Sequence, residues 1–182
     1  MIGLSHLYYA TMTADTTGGT TTYATPVQIP GVISAKINPN ATVDTLFAED
    51  GPYEVASQLG KISVDINAAD IDYATQAVLL GHTMGADGIL LRKASDTPPW
   101  IAIGFKAMKS NGKYRYVWLT KGKFTIPQED HQTKADKVNF QTPTIQGNFV
   151  QRESDGIWIR QTDEEATGYT ATTGTNWFQS VG

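Results

Sequence analysis

Asn111-Gly112 sits between two β-rich runs, Trp100–Lys109 and Lys113–Phe124. No other stretch of the chain restricts the fold as much. A two-residue hairpin loop of type I′ needs positive φ at both central residues, and Asn-Gly is the pair that adopts it most readily. Such a loop pairs Ser110 with Lys113. The register that follows sets Phe105 opposite Trp118, Ala107 opposite Tyr116 and Ile103 opposite Thr120. The other face carries Lys106, Met108, Arg115, Val117 and Lys121 and is mixed. The expected core face of the hairpin is therefore Ile103, Phe105, Tyr116 and Trp118.

The remaining punctuation is also that of a β protein. Leu4–Met12 is aromatic-rich and reads as a first strand. Thr13–Thr25, with Gly18-Gly19 at its centre, offers little to bury and reads as a mobile loop. Val32–Ile37 reads as a second strand, ended by Asn38-Pro39-Asn40; Pro39 lacks an N–H donor and suits a strand end or an edge. Lys61–Asn67 alternates, with Ile62, Val64 and Ile66 on one face. Between these runs lies a long excursion, residues 41–60, turned at Asp50-Gly51-Pro52 and carrying apolar residues of its own. A connection of that length is unusual unless it has a function. One helix is predicted over about 70–80. Asp70 is its N-cap, Ile71, Ala74, Val78 and Leu79 form its buried stripe, and Gly81 is its left-handed C-cap. Asp130–Lys137 reads as a charged loop. Val138–Gln151 and Gly156–Gln161 read as closing strands around Ser154-Asp155-Gly156. The expected organisation is one β-sandwich or barrel-like domain over 1–165, followed by a flexible Thr/Gly-rich tail over 166–182 that ends in Trp177-Phe178.

Composition narrows the chemistry. The chain has no cysteine, which excludes zinc–thiolate sites, disulfides and a cysteine nucleophile. The first residues lack the basic and apolar regions of a signal peptide, and no apolar run approaches the ~18 residues of a membrane span. The formal net charge is −4, from 14 Lys+Arg against 18 Asp+Glu; a nucleic-acid grip would carry the opposite balance.

Catalytic signals are poor. His6, His82 and His131 lack partners at metal-ligand spacing; His82 reads as a helix-terminus residue and His131 as a solvated loop residue. Gly3-Leu4-Ser5-His6-Leu7 lacks the second glycine of a nucleophile elbow. Gly122-Lys123 is followed by Phe124, so no phosphate-binding loop is present, and Gly81, Gly85 and Gly88 do not follow a strand. Tyr114, Tyr116 and Trp118 alternate along one run and could form a sugar-binding platform, but core packing is the stronger reading. Glu49, Asp50 and Glu54 lack the ordered spacing of a calcium loop and suit a solvated or interface-facing segment. No enzyme activity, metal or cofactor is expected.

Several stretches together resemble the major tail proteins of siphophages and prophages of Gram-positive bacteria. They are Gly3-Leu4 with Leu7-Tyr8-Tyr9-Ala10, then Ala48-Glu49-Asp50-Gly51-Pro52 with Glu54, then Leu80-Gly81-His82. The fullest is Ile103-Gly104-Phe105-Lys106 with Lys109-Ser110-Asn111-Gly112-Lys113-Tyr114-Arg115-Tyr116-Val117-Trp118-Leu119. Lys121-Gly122-Lys123-Phe124 and Phe140-Gln141-Thr142-Pro143 complete the set, which runs from Gly3 to about Glu164. The resemblance implies a tail-tube fold, mainly β with one flanking helix, and a structural virion protein made in the host bacterial cytoplasm. Such subunits form stacked, hexameric rings around a tape-measure protein, closed by a tail-terminator protein, and DNA later passes through without specific binding. Leu46, Phe47, Glu49, Asp50, Tyr53 and Glu54 are the candidate subunit-interface residues. The rival readings are a β-sandwich carbohydrate-binding module and another virion protein, such as a head-decoration or tail-completion subunit.

The acidic balance generates one expectation directly. Duplex DNA should show no shift with the purified chain in a gel assay at ~0.15 M salt, where phosphate-driven binding depends on basic residues. Micromolar affinity under those conditions would overturn it.

Overall fold

The computed structural model describes residues 2–48, 51–127 and 142–182. The chain is mainly β. Its first half forms β1 (Gly3–Ala14), β2 (Thr22–Tyr23), β3 (Val27–Ile29), β4 (Val32–Ala48), β5 (Gly51–Ala68) and helix α1 (Tyr73–Leu80). A small hairpin, β6 (Thr83–Met84) and β7 (Leu90–Leu91), leads into β8 (Ile101–Met108) and β9 (Tyr114–Phe124). β10 (Thr144–Val150), β11 (Ile159–Asp163) and helix α2 (Ala171–Asn176) follow. Nine strands make one antiparallel sheet in the order β2-β1-β8-β9-β10-β5-β4, with β3 also on β1 and β11 also on β9. The sheet rolls until its two ends meet. Leu4 and Leu7 of β1 share a core with Ala35 and Ile37 of β4, Ile62, Val64 and Ile66 of β5, and Leu79 and Leu80 of α1.

The β8–β9 hairpin forms where Asn111-Gly112 predicts it, but one residue out of the expected register. Lys109 and Lys113 close the loop, with Lys109 N–H donating to Lys113 O at 2.8 Å and Gly112 N–H to Lys109 O at 3.1 Å. Only Gly112 takes positive φ, 78°. The loop therefore has three residues and ends in a left-handed glycine, the alternative to a type I′ turn. Asn111 uses its side chain instead: Oδ1 accepts from Lys113 N–H at 3.2 Å, and Nδ2 donates to Glu165 Oε1 at 2.8 Å.

A slip of one residue moves one strand's whole set to the opposite face. Phe105 now pairs with Val117, Ile103 with Leu119 and Gly104 with Trp118. The expected grouping of Ile103 and Phe105 with Tyr116 and Trp118 is thus corrected. All four are buried, on two faces. Ile103, Phe105, Val117 and Leu119 join the rolled core. Trp118 belongs to a second cluster with Ala10, Ala102 and Val181.

That second face is covered by the segment expected to be a flexible tail. Trp118 Nε1 donates to Trp177 O at 2.9 Å. Phe178 stacks on Tyr8 at 4.7 Å and tilts against Trp118 at 5.8 Å. α2 is a helix the sequence reading lacks, N-capped by Thr170 accepting from Thr173 N–H at 3.3 Å. Residues 166–182 are therefore part of the body, because their aromatic rings supply the apolar cover that their Thr/Gly composition does not advertise.

Other expectations shift as well. α1 starts later than predicted, capped by Asp72, which accepts from Thr75 N–H at 3.3 Å; Gly81 is the left-handed C-cap, φ 72°. Its buried side is Thr75, Gln76, Ala77, Leu79 and Leu80, with Ala74 and Val78 exposed. Gln76 is tolerated there because Nε2 donates to Ile71 O at 3.0 Å. β4 does not end at Pro39; it continues to Ala48, and Pro39 sits at a register shift on an edge strand that pairs only with β5.

Two substitutions test the two-faced core. A Cβ on Gly104 would lie 2.6 Å from the Trp118 ring, so Gly104→Ala should cost about 1–3 kcal/mol by overpacking. Trp118→Ala should cost about 3–5 kcal/mol. Urea denaturation measures both, and a Gly104→Ala midpoint equal to the parent's would contradict the ring-on-glycine contact.

Candidate assembly surface

β5 pairs with β10 from Asn67 to Ile62 and no further. Beyond Ile62, β4 and β5 pair only with each other, from Ala41↔Leu59 to Ala48↔Gly51. The excursion over 41–60 is thus a two-stranded arm. The eight residues Ala41–Ala48 of β4 extend it by about 26 Å.

The register gives the arm two different faces. Ala41, Val43 and Thr45 share one with Leu59, Ser57 and Val55, while Thr42, Asp44 and Leu46 share the other with Gln58, Ala56 and Glu54; Tyr53 falls at the register shift between Leu46 and Phe47. The first is mostly apolar and, through the register shift between Pro39 and Ala41, continues the core face of β4 and β5 past the point where the body covers it. Tyr53 is 76% exposed, Val43 and Val55 62% each. Among the candidate interface residues, Leu46 is 58% exposed and Glu54 is also exposed. The Phe47 side chain, Glu49 and Asp50 lie outside the described residues. The arm is also acidic. Asp44, Glu49, Asp50 and Glu54 fall in it with no Lys or Arg, so it holds the chain's whole net charge of −4.

A second feature lies on the body. Among the described residues β4 and β11 each pair on one side only, with β5 and β9. Between them opens an apolar slot of about 430 Å3, floored by Leu4, Ala35, Ile37, Phe105, Val117 and Ile159. Arg115, Ser34 and Gln161 line it as polar groups. The Arg115 side chain is 42% exposed, and its Nη2 donates to Asp163 Oδ2 at 3.2 Å.

The residues weighed for chemistry do not converge. The His82 side chain is buried, and its Nδ1 lies 2.8 Å from Asp96 Oδ2, which also accepts Lys93 N–H at 2.8 Å. His6 sits at the irregularity in β1 with φ 56°; burial, then Lys106, lowers its pKa. His131 lies outside the described residues. No group of three His, Asp or Glu side chains that could hold a metal occurs among the described residues. No helix among them is long and apolar enough to cross a membrane. The alternating aromatics form no open platform, since Tyr116 and Trp118 are 7% and 1% exposed. Tyr169, Trp177 and Phe178 lie against Tyr116, within 6.3 Å between ring centroids. Burial, then hydrogen bonds with Tyr169 and Glu164, raises the Tyr116 phenol well above its ordinary range.

The residues that anchor the body's loops escaped the sequence reading. Thr13–Thr25 is pinned by Asp15, whose side chain is 4% exposed and which lies 2.8 Å from the equally buried Lys121 Nζ. Asp15 also accepts the amides of Glu153 at 2.9 Å and Ser154 at 3.1 Å. Lys121 reaches Glu153 at 2.8 Å and lies over the Trp100 ring. At the other end of β9, Asp163 accepts from Lys109 at 3.0 Å and from Arg115, and Glu165 pairs with Lys109. Partners so far apart along the chain leave no spacing signal.

No protein-family model matches the chain, and no curated protein matches it.

Burial pushes the Asp15 carboxyl up, but the two amides and the Lys121 ammonium outweigh it and hold it well below the usual carboxylate range. A depressed folded-state pKa stabilises above the unfolded value of about 3.9 and is lost as pH falls through the folded one. Asp15→Asn should cost about 3 kcal/mol at neutral pH, since it breaks a buried pair. The gap in melting temperature from the parent should hold above about pH 5 and narrow in stronger acid. A gap that does not change with pH would contradict the assignment.

Proposed function

We propose that this chain is a structural subunit that polymerises through its arm, as the tail-tube protein of a long, non-contractile phage tail. The observation that carries the reading is the amphipathic arm itself. A two-stranded ribbon alone is marginal in water, and this one displays apolar side chains, Val43, Val55 and Leu59, that the described residues leave exposed. Exposed aromatic and β-branched side chains on a protruding element suit burial against another protein. The motifs from Gly3 to about Glu164 add the family resemblance, which implies rings, stacked into a tube around a tape-measure protein and closed by a terminator. An acidic subunit suits a conduit through which DNA must slide without adhering. On this reading the protein resides in the virion, and DNA is cargo.

The test replaces residues 44–56 with a short Gly/Ser linker. The variant should keep a β-type circular dichroism spectrum and a cooperative melt, and should form no rings or tubes in negative stain where the parent forms them. Normal tubes from the variant would remove the arm from assembly. A parent that stays monomeric under all assembly conditions would remove the tube reading.

A further inference from the structure

The arm's second face sets one apolar side chain between two carboxylates. Leu46 and Glu54 lie directly opposite across the ribbon, and Asp44 is two residues back on β4. All three are exposed. Leu46 therefore stands about 7 Å from Asp44 along the strand and about 5 Å from Glu54 across it. Residues 41–60 contain no Lys or Arg to neutralise the pair.

The body carries the complement between the β8–β9 hairpin and α2. A cavity of about 580 Å3 is lined there by Lys106, Lys113, Tyr116 and Tyr169. Neither lysine joins an ion pair among the described residues. Lys113 is exposed, and the Lys106 ammonium rests over the Tyr114 ring at 4.6 Å. The carboxylate in the lining, Glu164, is already engaged: it accepts Tyr114 N–H at 3.0 Å and the Tyr116 hydroxyl at 3.1 Å. The cavity thus offers two ammoniums beside an aromatic wall. Other surfaces lack this match. The slot between β4 and β11 has Arg115, which Asp163 holds. The cleft beside residues 21–26 and 179–182 has no charged side chain in its lining. Elsewhere on the body Lys109, Lys121 and Arg152 are held by acids. The exposed apolar residues of α1 and the β6–β7 hairpin, such as Val78 and Met84, match apolar side chains and not a pair of carboxylates.

We propose that this cavity in one copy receives the second face of the arm of another copy, with Leu46 entering against Tyr169 and with Asp44 and Glu54 meeting Lys106 and Lys113. Within a single chain the two surfaces stay apart, since residues 41–46 and 53–60 are all exposed. Exposed ion pairs alone contribute little. Burial of Leu46 supplies affinity, and the charges select which surface it enters. Donor and acceptor surfaces differ, so the contact is heterologous. It passes from copy to copy and closes into a ring only if the rotation permits. The inference rests on the arm-driven association proposed above and adds the surface that the arm occupies.

Two full-length charge-reversed proteins test it: Asp44→Lys with Glu54→Lys, and Lys106→Glu with Lys113→Glu. Each alone sets like charges against each other. Each should keep the parent's circular dichroism spectrum and stay monomeric in gel filtration where the parent associates. Mixed, every arm meets a cavity of opposite sign, and association should return. Cysteine pairs check the same contact without altering charge, because the chain has no cysteine. Leu46→Cys mixed with Thr175→Cys, at the cavity lining, should give a reducible dimer on oxidation. Leu46→Cys mixed with Val78→Cys, exposed on α1, should cross-link far less. Reversed variants that associate alone as the parent does, a mixture of folded variants that stays monomeric, or an equal yield with Val78→Cys overturns the cavity. Tubes that assemble without the Leu46–Thr175 cross-link overturn the cavity and leave the tube reading standing. Cross-linked short oligomers that never become tubes support the cavity and sink the tube.

Discussion

Trp118 lies flat against Gly104, and the two sides of the body are organised around that contact. The ring needs a partner strand with no side chain at the opposing position, and a Cβ there would come within 2.6 Å. Glycine in a strand interior gives up packing and entropy; here it makes room for the largest side chain of the hairpin. The contact fixes β8 against β9 in a single register. With that register, Phe105 and Val117 face the rolled core while Trp118 and Ala102 face the opposite way. Both sides of the central strands are therefore apolar, and both must be covered. The curled sheet and α1 cover one, and the segment carrying Trp177 and Phe178 covers the other.

The arm follows a different rule. In the body each apolar face meets another. In the arm the inward face of β4 continues after β10 has stopped, and β5 keeps up with it through one extra residue at the register shift opposite Pro39 and Ala41. One continuous face thus holds buried Ile62 and Val64 beside β10 and exposed Val55 beyond it. Asp44 and Glu54 sit on the arm's other face, and the sequence of residues 41–60 carries no Lys or Arg to offset them.

Much of this was legible from local chemistry. Gly81 announced the end of α1, and Asn111-Gly112 announced the hairpin. Alternation in Lys61–Asn67 gave the inward face of β5. What failed was anything that needed to know a distant partner. Asn-Gly serves equally as the centre of a two-residue loop or the end of a three-residue one, and the choice was made by Gly104 accommodating Trp118 and by Glu165 holding Asn111. The helical stripe turned because Gln76 found a carbonyl to bond, which a hydrophobicity pattern cannot foresee. Asp15 read as one polar residue in a Thr-rich loop, since Lys121 and Glu153 are remote in sequence. The tail's Trp177-Phe178 was visible, but composition outweighed it in the reading. For the candidate surface, the length and apolar content of 41–60 pointed to the arm, whereas the slot joins β1, β4, β8, β9 and β11 and exists only once the sheet has rolled.

The seating of Phe178 on Tyr8 has a consequence for the order of folding. The arm is a local hairpin, and such ribbons form on the order of microseconds. The second face of the body closes only when residues from opposite ends of the sequence meet, and non-local pairing of that kind is slow. During synthesis from the N-terminus, β4 and β5 therefore emerge well before the segment that covers Trp118. For that interval the nascent chain shows two uncovered apolar faces, the state in which intermediates stick to one another. Covering Trp118 is thus the step that leaves the second face of the body apolar no longer, and it waits for the last residues of the described chain.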